Sequence, residues 1–524
     1  MASRVDRLWG GRTVRAAFCV AQVMLIALLV ATGVVYGLVY IARGLDDVSY
    51  HIPVAVRVAR YLNPYFVDTP VDSEWFPTGG ETFAAVFVYL TGSIYSTNLS
   101  GALCLAGLCT LTYFAAGLWT KELDARASAV LCVASVPVLL GQCLAFYVDI
   151  HFALLVCGAL WLQAAALIRG RSGYLWASVA LAVASASIKQ SGLYAAGIVV
   201  PVSLICLFLL PPPRRPTWMV AVLVAAAVLF SSGFYVRNWW LRGNPLFPFE
   251  LPAWSHPLLA LSPAAYEGPE RAERIVLLQR RTAVPHPWWP ASWGKLRLKP
   301  DMTDDAFGAA GALALLGCAV SLVFARRLDQ ARRRAWLVVL AQTAVIAALV
   351  PLRGGVPRYV AFAPAVAAMS PAVLAAADGG ARLVGQLLGV GILLNAAVFA
   401  GTNLLIDTRE WTSLHQAVPL LHPYRPNGAR ALAYAQGGHL RIGYTSGFAN
   451  MIGLLYDPGL TNELVPLHYR DYTLHHGREF GSPEEFIAHV RALDLDYIQI
   501  FDLRYPGAEL LQQHFADKVH VWRR

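Results

Sequence analysis

Apolar residues along this chain gather in long blocks separated by short polar breaks. The blocks run roughly over 16–42, 97–119, 127–146, 150–168, 174–188, 192–210, 217–236, 306–325, 335–351, 358–377 and 383–402. Most approach or exceed the ~18–20 residues that an α-helix needs to cross the apolar interior of a bilayer. The pattern predicts an α-helical polytopic membrane protein with about eleven transmembrane helices. The fifth block is short, and "SIKQSGLY" after it predicts a tight turn between two spans.

Three polar stretches are longer than turns. One covers 43–96 and contains "DDVSYHIP" and "EWFPTGGE"; a second covers 237–305 and is rich in Trp and Pro; a third begins near 403. In the last, "HLRIGYTSG" and "DLDYIQIFD" read as strands, and "SPEEFIAHVRAL" reads as a helix with Ser482 as its N-cap. Alternating strand and helix signals predict a small α/β domain over 403–524, after a membrane domain over 1–402. "GYTSG" lacks the spacing of a nucleotide-binding glycine loop.

Composition agrees. The chain of 524 residues is 57% hydrophobic and 14% charged, against about 25% charged in soluble proteins. Its net charge of +10 does not point to nucleic acid, because the arginines punctuate the spans. With the N-terminus in the cytoplasm, the inside loops hold Arg4, Arg7, Arg12, Arg15, Lys121, Arg126, Arg169, Arg171, Arg214, Arg215, Arg326, Arg327, Arg332, Arg333, Arg334 and Arg382. The short outside turns hold Lys189, Arg353 and Arg358. This bias sets the orientation and puts the long loops and the C-terminal domain outside the cytoplasmic (inner) membrane. The basic start resembles a signal peptide, but no small-residue cleavage site stands out, so an uncleaved first span is expected. The eight cysteines lie in or beside apolar blocks without disulfide or metal spacing.

The candidate chemistry sits at the outer ends of the spans. Asp46, Asp47 and His51 follow the first span, with Glu74 and Glu81 flanking "WFPTGG" further on. Asp149 and His151 stand at the second outside turn, Lys189 at the third, Arg237 at the fourth, and Arg358 and Tyr359 at the fifth. Each has a plain alternative: a solvated helix cap for the aspartates, an i,i+4 pair between Asp47 and His51, an interfacial anchor for each cation. Taken together they form one outward-facing layer, whereas a pump or channel tends to bury charges along a path through the bilayer. Carboxylates and cations in one layer at the bilayer surface suit glycosyl transfer from a polyprenyl-phosphate sugar. A carboxylate deprotonates the acceptor hydroxyl, and cations stabilise the departing phosphate.

The order of these motifs resembles the GT-C superfamily of integral-membrane glycosyltransferases, in particular bacterial family-39-like members related to the aminoarabinose and protein O-mannosyl transferases. The resemblance spans most of 16–400. It rests on "GLDDVSYHIP", "WFPTGGETFAAVFVYL", Asp149, "SIKQSGL", the "RY" of Arg358 and Tyr359, and above all "YVRNWWLRGNPLFPF", with Arg237, Asn238, Gly243, Asn244 and Pro245. It implies Asp47 or Asp46 as the general base and Asp149 as a second acidic residue that positions the acceptor or a metal. It also implies Lys189, Arg237, Arg358 and Tyr359 at the donor phosphate, with His51, Glu74, Glu81 and His151 at the acceptor or in support. Some relatives use a divalent cation, for which Asp47, Asp149 and His151 are the candidate ligands; no other cofactor is implied. The implied partners are a polyprenyl-phosphate-linked sugar donor, membrane lipid, and a glycan, lipid or protein acceptor. A transporter or flippase of lipid-linked sugars and a polysaccharide polymerase or ligase are the alternatives. A flippase would need polar groups continuing through spans that hold few. The tryptophans Trp239, Trp240, Trp254, Trp288, Trp289 and Trp293 read as an interfacial belt.

Overall fold

The structure, a computed structural model, describes residues 12–39, 46–66, 75–143, 145–209, 218–246, 307–350, 357–377, 380–404, 438–445, 455–456, 460–467, 480, 482–500 and 507–521. The first helix, α1 (Arg12–Val39), is followed by a π-helical turn over Asp47–His51 that runs straight into α2 (Ile52–Tyr61). Then come α3 (Gly79–Thr91), α4 (Leu99–Ala116), α5 (Leu123–Ala134), α6 (Pro137–Gly141), α7 (Asp149–Arg169), α8 (Gly173–Ile188), α9 (Gly192–Leu209) and α10 (Trp218–Arg242). The second half contributes α11 (Gly308–Phe324), α12 (Gln330–Leu349), α13 (Phe362–Ala367), α14 (Ser370–Ala376) and α15 (Gly380–Leu404). The chain is a multi-pass helical membrane protein. Six of the described helices are long and apolar enough to cross a bilayer, and 173–188, 192–208 and 362–376 are shorter apolar helices.

Burial orders these helices around α7. Its span is 78% buried, whereas the spans in α1 and α10 are 17% and 11% buried. So α7 is the central pillar, and the other two turn most of their side chains outward toward lipid. Small residues let neighbours approach the pillar closely, since in lipid the packing itself drives helix association. Ala153, Ala159 and Ala164 on α7 are all inaccessible to solvent.

Each of the eleven expected spans has a helical counterpart, but two differ in form. The span expected at 127–146 is broken: α5 stops at Ala134 and α6 restarts at Pro137. Proline lacks an N–H and clashes with the preceding turn, so the helix ends before it. Ser135 caps the break by donating its hydroxyl to the Leu131 carbonyl at 2.8 Å. The span expected at 358–377 is broken likewise into a 3-10 turn at Pro357–Val360, then α13 and α14, with Pro371 opening the last. The outside loop expected at 43–96 also holds more order than a loop, namely α2 and α3. The 3-10 turn carries Arg358 and Tyr359 at the start of its span.

The C-terminal segment forms a four-stranded parallel sheet in the order β2-β1-β3-β4. Its strands are β1 (Arg441–Thr445), β2 (Glu463–Pro466), β3 (Tyr497–Ile500) and β4 (Val519–Val521). Helix α16 (Pro483–Ala492) precedes β3, and α17 (Ala508–His514) precedes β4. Parallel neighbours need such crossovers. The Ser482 hydroxyl accepts the Glu485 N–H at 3.2 Å, as expected of the N-cap. The sheet rests on α2: Ile442, Tyr444 and Leu455 share one apolar cluster with Ile52, Val54 and Val56. Arg60 at the end of α2 donates to the carbonyls of Leu460 and Asn462, at 2.8 and 3.0 Å.

Candidate active site

Four separate parts of the chain supply one row of alternating charges. Arg358, in the 3-10 turn before α13, donates from Nη2 to Asp46 Oδ2 at 2.6 Å. Its Nε lies 3.7 Å from Asp149 Oδ2. Asp149 opens α7, where a carboxylate also meets the positive end of the helix. Its other oxygen accepts from Lys189 Nζ. Lys189 is the extended residue that ends α8, and its ammonium lies 3.9 Å from the centre of the Tyr359 ring. The row therefore reads Asp46, Arg358, Asp149, Lys189. Its middle is buried and its ends are open: Arg358 and Asp149 side chains are 9% and 2% exposed, Asp46 and Lys189 31% and 24%. A cation that merely anchors a helix at the interface is not placed like Arg358. Removing one partner of a buried pair costs about 3–5 kcal/mol, so this row is over-determined.

A second polar group lies beside the first. His51 Nδ1 is hydrogen-bonded to Glu81 Oε1 at 2.6 Å, with both side chains buried. Glu81, expected at the acceptor or in support, is buried because α3 packs its first turn inward. The approach is close: a Cβ on Gly79 would lie 2.7 Å from the Ser187 carbonyl oxygen, and one on Gly80 2.5 Å from Val148. His51 also meets the rings of Phe146 and Tyr147, at centroid distances of 5.6 and 5.9 Å. Asp47, in the same turn, is inaccessible to solvent. His151 is buried too, but two residues along a helix from Asp149 it turns to another side, with its ring 5.9 Å from that of Phe83. Glu74 lies outside the described residues, as do Trp254, Trp288, Trp289 and Trp293.

Arg237 is held by another part of the chain. Its Nη2 and the Asn238 Nδ2 both donate to the Trp75 carbonyl, at 2.8 and 2.9 Å. Nearby, Asn244 Oδ1 accepts the Leu246 N–H, and Gln190 donates to the Leu246 carbonyl. The motif that carries the strongest sequence resemblance thus brackets α10 to the segment before α3 and to the α8–α9 turn. Trp239 and Trp240 are exposed, at 56% and 86%, as an interfacial belt requires.

The donor set does not fit a divalent cation at Asp149. Both of its oxygens face cations, and a metal needs carboxylates that are free to neutralise it. Among the described residues, no three His, Cys, Asp or Glu side chains gather as metal ligands. One member of the site was missed from sequence: Tyr147, whose ring centre lies 4.1 Å from the Arg358 Cζ. In "FYVDIH" it looks like one more aromatic in an apolar run; the only signal was its place two residues before Asp149.

No protein-family model matches this chain, and no curated protein matches it in sequence. Solved structures do. The crystal structure of ArnT from Cupriavidus metallidurans bound to undecaprenyl phosphate superposes with a TM-score of 0.54 at 13% identity, covering 86% of each chain. The apo form of the same protein gives 0.50 at 15% identity, again over 86% of each chain. At such identities the likeness establishes the fold. It is the ArnT-like helical membrane fold with a C-terminal domain, in line with the architecture that the order of sequence motifs suggested.

Proposed function

We propose that this protein is a glycosyltransferase that moves a sugar from a polyprenyl-phosphate donor to a hydroxyl of a glycan, lipid or protein acceptor, at the outer surface of the cytoplasmic membrane. The observation that carries the reading is Arg358, buried between Asp46 and Asp149 with Lys189 on the far side of Asp149. Two cations in a water-poor site are what a departing phosphate needs, because a pre-oriented charge costs no reorganisation as the leaving group develops. That the structural neighbour holds undecaprenyl phosphate supports the same ligand class here.

The first-loop carboxylates divide the work by exposure. Asp46 is within reach of an incoming hydroxyl, whereas Asp47 is fully enclosed. Asp46 is therefore the general base and Asp47 supports the turn that presents it. The acceptor oxygen attacks the anomeric carbon as Asp46 takes its proton. The bond from that carbon to the phosphate oxygen breaks, and its electron pair leaves with polyprenyl phosphate. A single displacement of this kind inverts the anomeric centre. Protonation of Asp46 removes the counter-charge from Arg358 just as negative charge grows on the phosphate, so the two halves of the reaction help each other. Asp149 keeps Lys189 and Arg358 in register. The test is sugar transfer by the purified protein, read as released polyprenyl phosphate, alongside the envelope glycan profile with and without the gene.

A further inference from the structure

Tyr147 carries features that packing alone does not require. Its side chain is 1% exposed; the oxygen faces the Arg358 guanidinium, which can only donate, so the buried O–H finds no acceptor for its proton. On the adjacent guanidinium, Nε faces Asp149 Oδ2 at 3.7 Å, and Nη1 is buried without an acceptor. Purely apolar aromatic positions nearby are filled by Phe146 and Phe152, each 1% exposed. Buried donors are nearly always satisfied in folded proteins, and the exceptions call for a ligand or a functional reason.

We propose that Tyr147 binds the substrate's phosphate, its O–H donating to a phosphate oxygen beside the Arg358 guanidinium. This rests on the glycosyltransferase reading and extends it to a residue outside its motifs. The chemistry is consistent. Burial foremost raises the Tyr147 hydroxyl above its usual range; Arg358 opposes this by its charge and by a hydrogen bond, and Asp47 and Asp46 reinforce it. The phenol therefore stays neutral and keeps the proton it donates. A neutral donor suits this place, since it adds a hydrogen bond for the anion without displacing the carboxylates that hold Arg358. An uncharged polyprenol, with no phosphate, would gain nothing from it.

The experiment uses the full chain, purified in detergent, with undecaprenyl phosphate and undecaprenol as probes. Tyr147→Phe removes one oxygen atom and keeps the ring on Arg358. The variant is expected to bind undecaprenyl phosphate about tenfold or more weakly, the usual scale for a hydrogen bond to a charged group, to bind undecaprenol unchanged, and to melt at the wild-type temperature. Equal phosphate binding by the variant and the wild type would overturn the assignment. So would a parallel loss of both ligands, or a lowered melting temperature, which marks a hydroxyl with a structural task. If the wild type transfers sugar while Tyr147→Phe binds normally, only this inference falls. If the wild type neither binds undecaprenyl phosphate nor transfers sugar, the functional reading falls with it.

Discussion

Arg358 illustrates how a single side chain can join distant parts of a chain. A guanidinium presents five donors in a planar fork, so it can hold Asp46 at 2.6 Å and still face Asp149 at 3.7 Å. Lysine offers one point of charge and cannot span both. Arg358→Lys is therefore expected to lower kcat/KM for sugar transfer by about 10–100-fold, the range for losing a charge-assisted hydrogen bond. Steady-state rates on a monodisperse preparation measure it, and unchanged kcat/KM would return Arg358 to the role of an interfacial anchor. Much at this scale could be read from sequence and some could not. That Asp46, Asp149, Lys189 and Arg358 lie in one layer at the ends of spans was legible from span ends and charge. Who meets whom did not, because the contacts join residues up to 312 positions apart. Glu81 shows the limit: a carboxylate beside a glycine pair looks solvated until the glycines are seen to admit the helix to the interior.

At the scale of elements, the α8–α9 turn sets the position of Lys189. The turn is tight because the N–H of Gly192 bonds to the Lys189 carbonyl at 2.8 Å and the backbone returns against α8. A Cβ at Gly192 would fall well inside contact distance of the Ser185 carbonyl. That atom is rigid backbone, so the turn must move. Gly192→Ala is expected to shift Lys189 away from Asp149 and cut transfer more than it lowers the melting temperature. Activity and melting measured on the same preparation check this; wild-type activity would show that the turn relaxes without moving the ammonium. The turn was evident in "SIKQSGLY", where Gly and polar residues interrupt an apolar run. The breaks before Pro137 and Pro371 were not anticipated, because hydropathy averages over a window and passes smoothly across a buried proline. Strands β1 and β3 and the Ser482 cap were anticipated, since alternation and capping are local signals; β2 and β4, of four and three residues, were not.

On the scale of the whole molecule, the C-terminal sheet is fastened to the element that carries the proposed base. Helix α2 continues directly from the Asp47–His51 turn, and its far end holds the sheet through Arg60. The guanidinium also lies 5.5 Å from the Tyr456 ring centre. Arg60→Ala is expected to loosen this junction, seen as faster hydrogen exchange in α2 and β2, with a several-fold loss of transfer. Unchanged exchange would mean that the apolar contacts of Ile442 and Tyr444 hold the sheet unaided. No sequence pattern reports a junction between residues 400 positions apart; only the fold does.

The most direct measurement of the central claim is sugar transfer from a polyprenyl-phosphate donor by Asp46→Asn, Asp47→Asn and the double variant. Asparagine keeps the shape of aspartate but cannot take the acceptor's proton, and a positioned base contributes about 10²–10⁴-fold. Asp46→Asn is expected to lose activity on that scale while remaining folded and inserted. Asp47→Asn is expected to lose less, because its carboxylate is enclosed. Activity surviving in Asp46→Asn but not in Asp47→Asn would contradict the choice of base. Full activity in the double variant would contradict the mechanism itself.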